Sequence, residues 1–371
     1  MTSFYRVCLA GLFALTLACS ESSENPPLSL HKTDSSAYRV DASFEVGRNV
    51  VVRALALDQQ KKRLWVGTTV GVVEVSLEKG EMLNTFTREN GLANEYVFAA
   101  MVDKESGVWF GTNGGGVSLY QQGNWRTFFP MHGLADYWVY SFAEEENGQV
   151  WIGTWAGLNK YDRSSDSMTT YVKELVNEWV YGLDIDSKGN VWVGTEGGVN
   201  MYDGRSWAVW THQDGLGAAN SEGLPFSENT GLGTRSRHDL SMLMSGKETY
   251  NPNYVFCIKV SRKDEVWAGT WGGGVSVFNG SEWTNYTQAD GLAGNIVYSI
   301  AIAQDDSIWF GTNNGLSHFD GKSWQALGVN EGLLDSHVYA IVAEDSGDIW
   351  AGTRNGVVKI SKNSSDVRGG L

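Results

Sequence analysis

The tetrapeptide Trp-x-Gly-Thr occurs seven times, beginning at Trp65, Trp109, Trp151, Trp192, Trp267, Trp309 and Trp350. Successive copies are 44, 42, 41, 75, 42 and 41 residues apart. A period of this length restricts the chain to an array of one supersecondary unit. The unit is clearest in residues 291–324. A Gly-Leu turn opens it, and an alternating strand runs from Ile296 to Ala303. A polar turn follows, then a second strand that carries the tetrapeptide. A Gly-rich turn leads to a third strand, and a hairpin at Asp320-Gly321 leads to a fourth. Period-two alternation, frequent turn residues and many β-branched and aromatic side chains point to antiparallel β structure. Four short strands make one propeller blade. The sequence thus predicts an all-β, seven-bladed β-propeller with four-stranded antiparallel blades.

The one long step has a local cause. Leu92 to Val97, Leu134 to Val139 and Leu292 to Val297 each span five residues, whereas Leu216 to Val255 spans 39. The excess of 34 residues is a single insert at about 217–250. It is rich in Gly and Ser with little periodicity, and reads as a long loop or lid. Closure of the ring is the other requirement. The last unit lacks a fourth strand, while residues 38–46 alternate as a strand before the first full unit. This N-terminal strand is expected to complete the last blade, so that the propeller spans 38–371.

The N-terminus carries a different signal. Arg6 precedes an apolar run from Val7 to Ala18, too short to span a bilayer and suited to a secretory signal. Thr16-Leu17-Ala18-Cys19 resembles the lipobox of bacterial lipoproteins. That resemblance implies a signal peptide over 1–18, lipidation of Cys19, and a flexible tether over 19–37. Ser20 after the cysteine implies the outer membrane, periplasmic or surface side. Cys257 would then be the one remaining thiol of the mature protein, in an apolar strand, buried and inert. No disulfide framework is expected. The net charge of −15 argues against nucleic acid and against an anionic membrane surface as partners; contact with a membrane is expected through the lipid alone.

The full unit, Gly-Leu, then Val-[Tyr/Phe]-x-Ile, then Asp-x-x-Gly-x-[Val/Ile]-Trp-x-Gly-Thr-x-x-Gly, resembles the two-component regulator propeller repeat. Members of that family form periplasmic sensor domains that continue into a transmembrane helix and a kinase. The expectation for this sequence is a stand-alone lipoprotein form of such a ligand-binding propeller.

Sixteen tryptophans divide into two kinds. Seven belong to the tetrapeptide and are expected to pack between blades. Trp125, Trp207, Trp283 and Trp324 recur in fourth strands, and Trp210 stands where other units place Phe86, Phe128 and Tyr286. Four remain: Trp138, Trp155, Trp179 and Trp271. Trp138 and Trp179 precede the Val that opens an inner strand. Trp155 and Trp271 follow the tetrapeptide. Both turns emerge on one face of a propeller, and the insert leaves from the same face. Tyr96, Tyr137 and Tyr254 join them by repeat position. Glu196, Arg354, Asn113, Asn313 and His337 supply polar groups on the rim. Flat rings beside a few polar groups suit a glycan-like or aromatic small molecule, or a membrane-associated protein partner. The alternative is that the insert buries these rings as a small satellite core.

Catalytic signatures are sparse. The six histidines show no metal-ligand spacing, and no cofactor or metal is expected. Asp184 to Asn190 resembles a calcium loop but occupies a turn position in the repeat. Glu95, Asp136, Glu178 and Glu196 lie near the top face, and the insert adds Arg235, Arg237, His238 and Asp239. The reading is therefore a binding module, of sensor, receptor or accessory kind, rather than an enzyme. The alternatives are a propeller lyase or hydrolase, as the family resemblance to streptogramin lyases implies, and a scaffold subunit of an outer-membrane complex.

Overall fold

A computed structural model describes residues 37–227 and 248–363. Seven four-stranded antiparallel sheets follow one another around a ring, as the repeat predicts. The inner strands are Val52–Asp58, Val97–Val102, Val139–Glu144, Val180–Ile185, Asn251–Val260, Val297–Ile302 and Val338–Ala343, defining blades 1 to 7. The strand Tyr38–Glu45 pairs antiparallel with Gly356–Lys362, with Tyr38 opposite Lys362 and Glu45 opposite Gly356. The N-terminal strand thus closes blade 7.

The three fixed positions of the tetrapeptide have separate physical tasks. The tryptophan packs its ring on the following blade. Trp65 meets Phe110 at 5.9 Å, Trp109 meets Tyr161 at 5.9 Å, and Trp267 meets Phe310 at 5.6 Å. The glycine faces the first valine of the next inner strand. A Cβ on Gly67 would lie 2.7 Å from Val97 Cγ1, and one on Gly194 would lie 2.7 Å from Val255 Cγ1. The pattern continues to Gly352, which abuts Val52 across the closed joint. The threonine hydroxyl is buried and donates to a glycine carbonyl in the following turn, as Thr154 does to Gly157 at 2.7 Å.

A fourth task falls to the residue six positions before each tryptophan. Where it is acidic, it accepts the indole N–H. Trp109 donates to Asp103 at 2.6 Å, Trp151 to Glu145 at 2.7 Å and Trp192 to Asp186 at 3.0 Å. Where Gln59 or Ser261 stands there, the indoles of Trp65 and Trp267 have no acceptor among the described residues. Asp186 also accepts from the backbone of Lys188 and Asn190 and from the Asn190 side chain. The calcium-like segment is thus a turn whose carboxylate is committed to the fold.

The closing strand is fixed by its side chains as well as its ladder. The Tyr38 ring meets Trp309 edge-on at 4.7 Å, and its hydroxyl lies 3.3 Å from His318 Nε2. Lys362, opposite Tyr38, pairs with Asp305 at 2.7 Å. Burial lowers the His318 pKa below 6.5. Burial alone would raise Asp305, but hydrogen bonds from Lys362 and Ser307 outweigh it and hold the carboxyl at about 2.

Two measurements check this account. Gly194→Ala should cost on the order of 1–3 kcal/mol, because the added methyl overpacks the joint between blades 4 and 5; an unchanged urea midpoint would contradict it. Acid should loosen the closing strand in two windows. The unfolded chain protonates a free histidine near 6.5 before folded His318 does, so stability falls as pH drops below about 6.5. A second loss follows between about 4 and 2 as Asp305 is neutralised. His318→Phe should flatten the first loss when melting temperatures at pH 7 and 5 are compared.

Candidate functional site

The residue after the first valine of each inner strand points into the central channel. These residues are Arg53, Phe98, Tyr140, Tyr181, Phe256, Tyr298 and Tyr339, and all seven line one cavity of about 210 Å³. Their side chains form an unbroken girdle. Going round, Phe98 to Tyr140 is 4.8 Å, Tyr140 to Tyr181 is 4.9 Å, and Tyr181 to Phe256 is 5.7 Å. Phe256 to Tyr298 is 5.7 Å and Tyr298 to Tyr339 is 5.0 Å. The Arg53 guanidinium closes the circle, 5.0 Å from the Tyr339 ring and 5.6 Å from the Phe98 ring. Seven sides of about 5 Å place each group roughly 6 Å from the axis, and contacting atoms need ~3.5–4 Å between them. The mouth of the channel therefore admits a slender group only.

Three of the four unassigned tryptophans stand on this girdle. Trp138 lies 6.2 Å from Phe98 and 6.1 Å from Trp155. Trp155 stacks on Trp179 at 4.8 Å with an interplanar angle of 25°. All three are partly exposed. Their backbones are fixed by short-range polar contacts. Asp136 accepts from Trp138 N at 2.8 Å, and Asn177 accepts from Trp179 N at 2.8 Å. Within blade 3, Trp155 N donates to the Trp138 carbonyl at 3.0 Å. The two turns of one blade are thus tied together, which sets both rings on the same rim.

The fourth, Trp271, is fully buried. It stacks on buried Tyr254 at 5.3 Å and donates to Thr249 Oγ1 at 2.9 Å. Thr249 belongs to the returning end of the insert. This end is further tied by Tyr250, whose hydroxyl donates to the Ala218 carbonyl at 2.7 Å, and by a parallel bridge between Phe226 and Tyr250. Trp271 and Tyr254 therefore pack as buried rings against the girdle, next to Tyr181 and Tyr298. Arg235, Arg237, His238 and Asp239 lie outside the described residues, as does Cys19.

The remaining expected residues distribute as follows. Tyr96 contacts Phe98 at 4.9 Å and belongs to the cluster. Tyr137 is 45% exposed and its ring neighbour is Phe129, so it stands apart from the tryptophan stack. Glu196 is buried and accepts from the Tyr181 hydroxyl at 3.3 Å. Burial pushes the Tyr181 hydroxyl well above 10, which keeps it a neutral donor. Arg354 is partly buried on the rim of blade 7, near Asp335. There His337 stacks on Tyr339 at 5.9 Å, and its Nδ1 lies 3.3 Å from Asp335. Burial would raise Asp335, yet its bonds from His337 and the charge of Arg354 lower it.

Cys257 lines the channel wall below the girdle, and burial pushes its thiol up to about 12. Among the described residues, no group of three or more His, Cys, Asp or Glu side chains converges as a metal site. No helix among them is long and apolar enough to cross a membrane.

The girdle itself is absent from the sequence-based candidates except at its edges. Its signal was present in the Val-[Tyr/Phe]-x-Ile element of the repeat. An aromatic in an alternating strand reads equally as core, and only closure of the ring turns that position toward the axis.

Comparison with known proteins supports the architecture. Residues 133–156, 174–197 and 291–314 match the family described as "Two component regulator propeller". Each matched segment runs through the tetrapeptide, two starting at a Gly-Leu turn and the third at Glu174-Leu175. No curated protein matches the chain. Among solved structures, the extracellular domain of the putative hybrid two component system BT3049 from B. thetaiotaomicron is similar, with a TM-score of 0.69 and 20% identity over 90% of this chain. The corresponding domain of BT4673 from the same organism gives a TM-score of 0.62 and 17% identity over 86% of this chain. This chain spans only 42% and 39% of those two domains. A streptogramin B lyase is similar over 89% of this chain and 100% of its own length, with a TM-score of 0.65 and 13% identity. At these identities the likeness is one of fold. Three segments of the chain, in blades 3, 4 and 6, thus match the two component regulator propeller repeat.

Proposed function

We propose that the chain is an exported, lipid-anchored binding module that takes its ligand, or a partner, on the tryptophan-bearing face of the propeller. The observation that carries this reading is the continuity of Trp179, Trp155, Trp138 and Phe98 with the channel girdle. Partly exposed stacked indoles present flat apolar surface beside polar groups, which suits a glycan-like or aromatic small molecule. Two of the similar structures are extracellular domains of putative two component systems, in keeping with a sensor or receptor role outside the cytoplasm. Lipidation at Cys19 would hold the module at the outer membrane.

Three outcomes are expected. Neutral oligosaccharides or aromatic small molecules should quench the tryptophan fluorescence of the full chain, and Trp155→Phe should reduce that quench. A screen with no response from either class would count against a small-molecule site and favour a protein partner. Trp271→Ala should cost about 3–5 kcal/mol, as a fully buried aromatic does, and Trp155→Ala distinctly less. If Trp155→Ala lowers the urea midpoint as far as Trp151→Ala, the stack is core and the binding reading fails. Finally, Cys19→Ser should move the protein from the membrane fraction to the soluble fraction; retention in the membrane would rule out the lipid anchor.

A further inference from the structure

Among the described residues nine large apolar side chains are exposed, and their distribution is uneven. Six lie in the connections at the tryptophan-bearing end of the blades: Val70, Met131, Tyr137, Val176, Phe226 and Val329. The other three lie in outer strands, and the hairpins at the opposite end carry none. Single exposed apolar residues are normal on any surface; their concentration at one end marks an interaction surface. The six also encircle the channel mouth. Val70 belongs to blade 1, Met131 and Tyr137 stand between blades 2 and 3, Val176 between blades 3 and 4, and Val329 between blades 6 and 7. Val176 and Val329 thus stand on nearly opposite sides of a girdle roughly 12 Å across, each outside it. A sugar ring or a small aromatic molecule on the tryptophan stack reaches one of them at most. An occupant that covers both has the width of a protein segment.

The charge of the same connections selects that segment. Among the described residues they hold twelve Asp and Glu side chains against four Lys and Arg. Glu174 and Glu178 are exposed beside Val176, Glu331 beside Val329, and Glu222 and Glu248 near the two described ends of the insert. Apolar side chains within an acidic rim are complementary to a chain that carries Lys or Arg beside large apolar residues. A second copy of this chain fits poorly, because face-to-face contact would set one acidic rim against another. We infer that this end of the propeller docks a basic, apolar-bearing segment of a partner protein, with its apolar side chains on Val70, Val176 and Val329 and its cations on the glutamates between them. The proposed contact shares its face with the binding reading above but uses positions outside the tryptophan stack, so either can fail without the other.

The probe is a synthetic peptide of Lys and Leu in equal number, titrated against the full chain by calorimetry. Two counterparts carry Glu for Lys and Ser for Leu. The Lys-Leu peptide should bind, the Glu-Leu peptide should not, and the Lys-Ser peptide should bind about tenfold or more weakly, the loss expected when leucines are no longer buried. Val176→Ser and Val329→Ser should each weaken the Lys-Leu peptide about fivefold with unchanged melting temperature. Met82→Ser, at an exposed site on an outer strand, should change its affinity less than about twofold. Glu178→Gln combined with Glu331→Gln should weaken it as well and flatten its salt dependence. Failure of the Lys-Leu peptide to bind, equal binding of the Lys-Ser peptide, or an equal loss in Met82→Ser would overturn the docking surface. A dimer of the chain in sedimentation, abolished by Val176→Ser, would assign the face to a second copy and overturn the partner. Lys-Leu binding that survives Trp155→Phe, in a chain whose fluorescence no glycan or aromatic compound quenches, would remove the small-molecule reading and support this one.

Discussion

The contact on which the rest depends is that between each tetrapeptide glycine and the first valine of the next blade. Across seven joints the second strand of one sheet approaches the inner strand of its neighbour so closely that a single methyl group has no room. That approach fixes how far one blade is rotated from the next. The tryptophan beside the glycine then fills the wider part of the wedge, and the threonine ties down the turn above it. A ring closes only if these small rotations sum to a full circle. The joint between blades 7 and 1, where Gly352 meets Val52, has the same form as the others.

The same joints create the site. In every inner strand the first valine is directed at the neighbouring blade, and the ladder shifts register at the residue after it, which faces the axis. Seven such residues are brought into one girdle without any contact between them being encoded locally. Most positions are filled by Tyr or Phe, giving a closed aromatic mouth. Arg53 breaks that uniformity. The tryptophans of blades 3 and 4 extend the aromatic surface outward on one side only. A repeated scaffold thus carries a surface that is not symmetric, and asymmetry is what a site for a particular ligand requires.

The insert and the closing strand show two ways in which the repeat is interrupted without cost to the ring. The described ends of the insert return to blade 5 through Tyr250 and Thr249, and Thr249 satisfies the indole of Trp271. A tryptophan that the sequence grouped with the exposed rings of the rim is thereby buried. Tyr38–Glu45 does the reverse: a segment far from the last blade in sequence supplies its outer edge, and Tyr38 fills the wedge over Trp309 that a ring from the next blade fills elsewhere.

Much of this was legible in the sequence. The spacing of Trp-x-Gly-Thr set the number of blades, alternation set the number of strands, and the missing fourth strand of the last unit pointed to residues 38–46. The first two are periodic signals that repeat, so error at one copy is corrected by the others, and the third is the one unit that departs from them. Trp138, Trp155 and Trp179 could also be singled out, because they depart from the repeat. What the sequence could not separate was the fate of similar residues at similar positions. Trp155 and Trp271 occupy the same turn, yet one is partly exposed and the other buried, since only blade 5 lies beside the returning insert. Nor could Arg53 and Phe98 be seen as neighbours, since they lie on different blades and meet only around the axis. Such contacts follow from closure of the ring, a global condition that no local stretch encodes; the sequence alone determined the blades, and the tertiary structure alone decided which side chains face one another across the channel.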